Sequence, residues 1–227
     1  MTLNLLYAIL TGIIPPIIWL AFWLREDSNP EPRGLIFSLF FSGALGVFVA
    51  LFGEKFVASM GYTQNIQYII WAAIEEVIKF IILITVALNA KTNDEPIDSM
   101  MYCITIALGF AAIENTLFVM GPFSQGNVIT GLITGNMRAI GATLVHTVST
   151  VCAGFTYGYF YYSNRFTKSI ALVIGLVAGV AIHAAFNISV IGGDSTNTLK
   201  AFGWIWGAVV VMIVLFEEIK LVRPEEI

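Results

Sequence analysis

Glu75, Glu76 and Lys79 stand inside the apolar run Ile69–Leu88, Glu114 inside Met100–Met120, and the only two histidines, His146 and His183, each inside a further apolar run. A charged side chain at the centre of a bilayer costs about 2.5 kcal/mol or more even on the mildest scale, so several of them on separate apolar segments mark a site. Carboxylates, imidazoles and an amide in a wet membrane cavity suit peptide hydrolysis. A carboxylate activates water as general base, imidazole and amide N–H groups stabilise the oxyanion, and a second acid protonates the leaving amine. The same groups can bind Zn²⁺, with His146, His183 and a glutamate, Glu76 or Glu114, as ligands around an open position. There is no HExxH helix, so a metal set has to come from separate helices. Ser149 and Cys152 have no base on their own helix face and are poor nucleophile candidates.

Spacing refines the roles. Glu75 and Lys79 are i,i+4 and share a helix face, while Glu76 points about 100° away and is i,i+3 to the same lysine. This predicts that Lys79 holds Glu75 and leaves Glu76 free as the base. His146 and Thr150 are i,i+4, as are His183 and Asn187, so each imidazole has a hydrogen-bonding neighbour on its own face. Glu114 is followed by Asn115. The candidate catalytic set is Glu75, Glu76, Glu114, His146, His183 and Asn187, with Lys79, Asn115 and Thr150 in support. Small residues flank these groups, and Gly154/Gly158 and Gly175/Gly179 form GxxxG pairs whose expected role is helix packing.

The elements that must carry these residues are membrane helices. Hydrophobic residues make up 58% of the chain and charged residues 11%, against a usual ~45–50% and ~25%, the profile of a polytopic membrane protein. The net charge of −4 gives neither a nucleic-acid footprint nor a polybasic lipid-binding surface. Two cysteines inside apolar segments, Cys103 and Cys152, give no disulfide framework. Windows of about 20 residues yield about seven spans: Leu3–Leu24, Leu35–Ala58, Ile66–Ala90, Ser99–Met120, Met137–Tyr162, Ser169–Ile191 and Ala201–Val222. The expected fold is all-α, one helix bundle over residues 1–227 whose site is built from spans within 66–191. Pro15 and Pro16 are expected to bend or break the first span. Gly121–Gly135 is too polar and glycine-rich for a full span and is expected to form an interfacial or re-entrant segment.

Basic residues set the orientation. Arg25, Arg33, Lys91, Arg165, Lys168, Lys220 and Arg223 fall on one side and Lys55, Arg138 and Lys200 on the other, which predicts an outside N-terminus and a cytoplasmic C-terminus. In that threading Glu76 lies about ten residues from the outer end of its helix, His146 and His183 about nine, Glu114 about six and Asn187 about five. The polar groups of four helices thus share a layer, in either orientation.

The motifs EEVIK at 75–79, DEPIDSMMY at 94–102, GFAAIENTLF at 109–118, HTVST at 146–150 and HAAFN at 183–187 resemble, in order and placement, those of the PrsW intramembrane proteases, and SNPEPRG at 28–34 resembles that family's loop after the first span. The resemblance implies an endopeptidase of a bacterial or archaeal cell membrane that cleaves a membrane-anchored protein, such as a single-span anti-sigma factor, at the extracytoplasmic side. The family also resembles the CAAX prenyl endopeptidases and, more distantly, the scaffold subunit of gamma-secretase. Glu114 stands where the CAAX group has histidine, which argues against prenyl-protein processing, and analogy to that group favours Glu75 as base. Two readings from other classes remain at this stage: a proton- or ion-coupled transporter, which would bury similar groups but be expected to show repeat symmetry, and a non-catalytic membrane scaffold.

Overall fold

In the computed structural model, which describes residues 2–27, 29–88 and 91–224, every regular element among the described residues is a helix. Ser28, which opens the SNPEPRG stretch, and Ala90, where the third span is predicted to end, lie outside the described residues. The helices are α1 (Thr2–Glu26), α2 (Arg33–Ala58), α3 (Gln64–Ile82), continued by one π-helical turn at Leu83–Ala87, α4 (Asp98–Ser124), α5 (Val128–Ile140), α6 (Ala142–Tyr159), α7 (Arg165–Val190) and α8 (Ser195–Ile219). Six segments are long and apolar enough to cross a membrane: α1, α2, α4, α5 with α6, α7 and α8. With its π turn α3 is the seventh, made less apolar by the three charges that give the site its chemistry.

α4 is the axis of the bundle. It is apolar around its whole circumference rather than along one stripe, which is the pattern of a helix surrounded by others. Met100 to Ala112 are all almost completely buried, in contact with α1, α2 and α6. The outer helices turn apolar side chains outward instead, with Phe37, Phe52, Val177 and Val210 each more than half exposed, as lipid contact requires. Glycines set the close approaches. A Cβ on Gly154 or Gly158 would overlap the backbone of Ser99 or Pro96 at the start of α4, and one on Gly175 or Gly179 would overlap α6 at Cys152 or Ser149. The two GxxxG pairs are therefore packing surfaces.

Two stretches differ in their helical content from what their residues suggest. Pro15 and Pro16 lie inside a continuous α1, which they do not break; in a bundle the freed carbonyls find other partners. The stretch Gly121–Gly135 is largely helical rather than irregular: its first residues complete α4, Gly126 (φ +77°) makes the reversal, Asn127 caps α5 through the Thr130 amide, and α5 packs against α4. Gly141 alone separates α5 from α6, so the two form one bent span that begins at Val128 rather than Met137.

Candidate active site

α3 supplies Glu75, Glu76 and Lys79, α4 supplies Glu114 and Asn115, α6 supplies His146 and Thr150, and α7 supplies His183 and Asn187. The structure brings all of them to one place. Glu75, Glu76, Lys79, His146 and His183 are each 4% exposed or less. Glu76 Oε1 accepts from Lys79 Nζ at 2.8 Å and from His183 Nδ1 at 2.8 Å, and Glu76 Oε2 accepts from Thr150 Oγ1 at 2.8 Å. Both oxygens are thus engaged. Glu75 lies 3.8 Å from Lys79, beyond hydrogen-bond reach, and its buried Oε2 has no hydrogen-bond partner among the described residues. The expected pairing is reversed: Lys79 holds Glu76, and Glu75 is the free carboxylate. Both spacings are within a lysine's reach, and His183 and Thr150, arriving from other helices, decide between them.

The partners of each imidazole assign its tautomer. His146 Nε2 is 2.6 Å from Glu114 Oε2, which also accepts from Arg138 and can only accept, while His146 Nδ1 is 2.9 Å from the Lys79 ammonium, which can only donate. His146 is therefore protonated at Nε2, with its lone pair on Nδ1. His183 donates from Nδ1 to Glu76, which leaves the lone pair on Nε2. The two rings meet edge to face, 4.9 Å between centroids. Both unprotonated nitrogens lie near the orphan oxygen: His146 Nδ1 is 3.6 Å and His183 Nε2 is 3.8 Å from Glu75 Oε2. Three acceptors thus face one another, and the Lys79 ammonium, 2.9 Å from His146 Nδ1 and 3.8 Å from Glu75 Oε2, is the cation that meets them.

A divalent ion fits this set. Glu75, His146 and His183 each offer a ligand atom, all within 4.8 Å of one another, with the donor types zinc prefers. Each imidazole is fixed on its far nitrogen by a carboxylate, Glu114 for His146 and Glu76 for His183, the outer support that metal-binding histidines generally have. Glu114 and Glu76 therefore stand behind the imidazoles rather than beside the orphan oxygen.

Two residues of the site were not legible as such. Arg138 was counted among the outer basic residues, but it reaches inward from α5, giving Glu114 Oε2 a hydrogen bond of 2.7 Å and Asn115 Oδ1 another of 2.7 Å, with its guanidinium 3.8 Å from the centroid of Phe118. Asn115 passes the link to Thr143 on α6 at 2.9 Å. Glu54, near the end of α2, lines the same cavity as Glu75. A cavity of about 560 Å³ opens in front of these groups, lined by Glu54, Trp71, Glu75, Glu114, Arg138, His146, His183 and Asn187 together with aromatic residues such as Phe110 and Phe202. It lies toward the end of the bundle that carries the α2–α3, α4–α5 and α7–α8 connections. Asn187, one turn beyond His183, is half-buried on its wall.

Comparison with known proteins gives one consistent result. A family described as PrsW family intramembrane metalloprotease matches residues 31–218. Among curated relatives named Protease PrsW, the chain is 28% identical to that of Clostridioides difficile over 78% of its own length and 76% of the relative's, and 27% identical to that of Bacillus subtilis over 80% and 82%. The protein of Geobacillus kaustophilus is 27% identical, the match spanning 65% of this chain and 64% of that one. No solved structure matches.

Proposed function

Because the chain belongs to the PrsW family of intramembrane metalloproteases, we propose that it hydrolyses a peptide bond of a membrane-anchored protein, with a single-span anti-sigma factor as the kind of substrate the sequence motifs imply. The observation that carries this reading is the convergence of Glu75 Oε2, His146 Nδ1 and His183 Nε2, three buried acceptors turned toward one another beside a cavity. These three are the proposed ligands of a Zn²⁺ ion. Such an ion supplies Lewis acidity, to water and to the scissile carbonyl. Glu76 and Glu114 hold the imidazoles so that their lone pairs face inward. Glu54, beside Glu75 and open to the cavity, takes the proton released by the attacking water and returns it to the leaving amine. Asn187 donates its amide to the developing oxyanion. The apolar cavity wall receives the unwound membrane segment of the substrate, and the end of the bundle bearing the cavity faces the outside, as the distribution of basic residues predicts.

The test is cleavage of a single-span substrate by purified protein, with and without chelator. Chelation is expected to abolish cleavage and zinc to restore it. His146→Ala and His183→Ala should each lower the rate by about 10²-fold or more while the protein remains folded in detergent. Full-rate cleavage after chelation would sink the metal assignment and leave hydrolysis to the glutamates alone.

A further inference from the structure

Lys79 stands on ground that the proposed ligand set needs. Its side chain is fully buried, and Nζ lies 2.8 Å from Glu76 Oε1, 2.9 Å from His146 Nδ1 and 4.3 Å from the centroid of Phe110. A second cation beside a divalent ion is repelled by it, strongly so in a medium of low dielectric constant. A lysine is therefore a costly neighbour for a site that is always loaded. It is a sensible neighbour for one that spends time empty: Glu54, Glu75, Glu76 and Glu114 all crowd this region, and Lys79 and Arg138 are the cations that meet them.

The tautomer of His146 sharpens the conflict. With Nε2 donating to Glu114, the ring has one lone pair, on Nδ1. That lone pair can accept from Lys79 or ligate an ion, but not both. His183 Nε2 has no such competitor within hydrogen-bond distance among the described residues.

We propose that Lys79 is the resident cation of the empty site: it satisfies His146 Nδ1 until an ion arrives, then withdraws to Glu76 alone. The flexible lysine stem allows the small movement this requires, and Glu76 remains its partner throughout. Lys79 thereby keeps the metal-free bundle folded and holds the affinity for metal below what the three ligands would reach without it. The inference rests on Glu75, His146 and His183 being the ligands. Its mark is a pair of effects of opposite sign. A lysine that merely braced the fold would, when removed, weaken both the empty protein and its hold on metal.

The experiment compares full-length wild type with Lys79→Gln and Lys79→Met in detergent. Zinc affinity is read by competition with a chromophoric chelator, and melting is followed in chelator and in excess zinc. Both variants should bind zinc about tenfold or more tightly than wild type and melt lower in chelator, with most of that loss recovered in zinc. A variant that folds only with zinc is the extreme of the same result. Zinc affinity equal to or below wild type overturns the inference, as does an equal loss of melting temperature with and without zinc, or failure to fold even with zinc. A wild type that takes up no zinc, or takes it up equally well as His183→Ala, removes the ligand assignment and the inference with it.

Discussion

α4 has a buried acidic cluster near each end, and the two are built on opposite terms. At its start, Asp98 Oδ2 accepts from the amides of Asp94 and Glu95 at 2.9 and 2.7 Å, Glu31 Oε1 accepts from the Tyr102 hydroxyl at 2.7 Å, and Asn29 donates to Glu95 Oε1 at 2.6 Å. Donors come to these carboxylates from neighbouring backbone and from a phenol, and they tie the connection before α2 and the connection before α4 to α4 itself. Around Glu114, in the second half of the helix, acceptors outnumber the donors facing them: Glu75 Oε2 is left over, with His146 Nδ1, which accepts from Lys79, and His183 Nε2 at 3.6 and 3.8 Å from it. Satisfied acids make a brace. Unsatisfied acids, held open by satisfied ones behind them, make a place where something else has to bind.

The contrast is at its sharpest between adjacent residues. Glu75→Gln keeps the side chain's size and should leave melting in chelator nearly unchanged, yet lower turnover by about 10²-fold or more, because it removes the anionic oxygen proposed to hold the ion. Glu76→Gln leaves the Lys79 ammonium without its close counter-charge, and breaking a buried pair in this way costs about 3–5 kcal/mol. Its main effect should therefore be on the fold. Turnover assays and detergent melting on both variants check this; a stable, inactive Glu76→Gln beside an active Glu75→Gln would exchange the roles of the two glutamates.

The next effect is smaller because it acts at one remove. Arg138 fixes Glu114, which fixes His146. Arg138→Gln should lower zinc affinity and turnover by about 10–100-fold, the usual range for groups that orient a ligand. Arg138→Lys keeps the charge but cannot reach Glu114 and Asn115 with one planar fork, so it should recover only part of the loss. Full activity in Arg138→Gln would mean that Glu114 is positioned well enough by His146 alone.

The sequence made the constellation legible because each member violates its surroundings: a charge or an imidazole in an apolar run is visible without any structure. The layer was legible too, since counting along helices gives depth directly. What it could not resolve is direction around a helix once two spacings both work. Glu75 and Glu76 are equally placed for Lys79 until α7 brings His183 to one of them. Arg138 and Glu54 were missed for the converse reason. Each stands near a helix end, where a charge is ordinary, and only the bending of the α5–α6 span at Gly141 and the packing of α2 on α3, seen in the 3.2 Å bond from Trp71 Nε1 to the Glu54 carbonyl, bring them to the cavity. The helix within Gly121–Gly135 was hidden because glycines suggest irregular backbone, whereas Gly131 and Gly135 sit where α5 must approach Phe123 and Thr11 closely.

The smallest expected effect tests the brace. Glu31 lies outside the membrane-spanning helices, and burial pushes its carboxyl above the ordinary glutamate range, although the Tyr102 hydroxyl bond works the other way by favouring the charged form. A carboxyl raised on folding binds its proton more tightly in the native state than in the unfolded chain. Its contribution is therefore full below the ordinary glutamate value and is lost as pH rises through the folded one. Melting in detergent over about pH 4 to 8 should show this decline, and Glu31→Gln, which still accepts from Tyr102, should make it shallower. Asp27, also raised by burial, will keep some of the slope. Tyr102→Phe should cost about 1–3 kcal/mol by leaving a buried acceptor without its donor. It should also steepen the decline, because the group that favoured the charged carboxylate is gone. A Tyr102→Phe protein with wild-type melting at every pH would show that Glu31 finds other donors, and that the two ends of α4 differ less than their hydrogen bonds suggest.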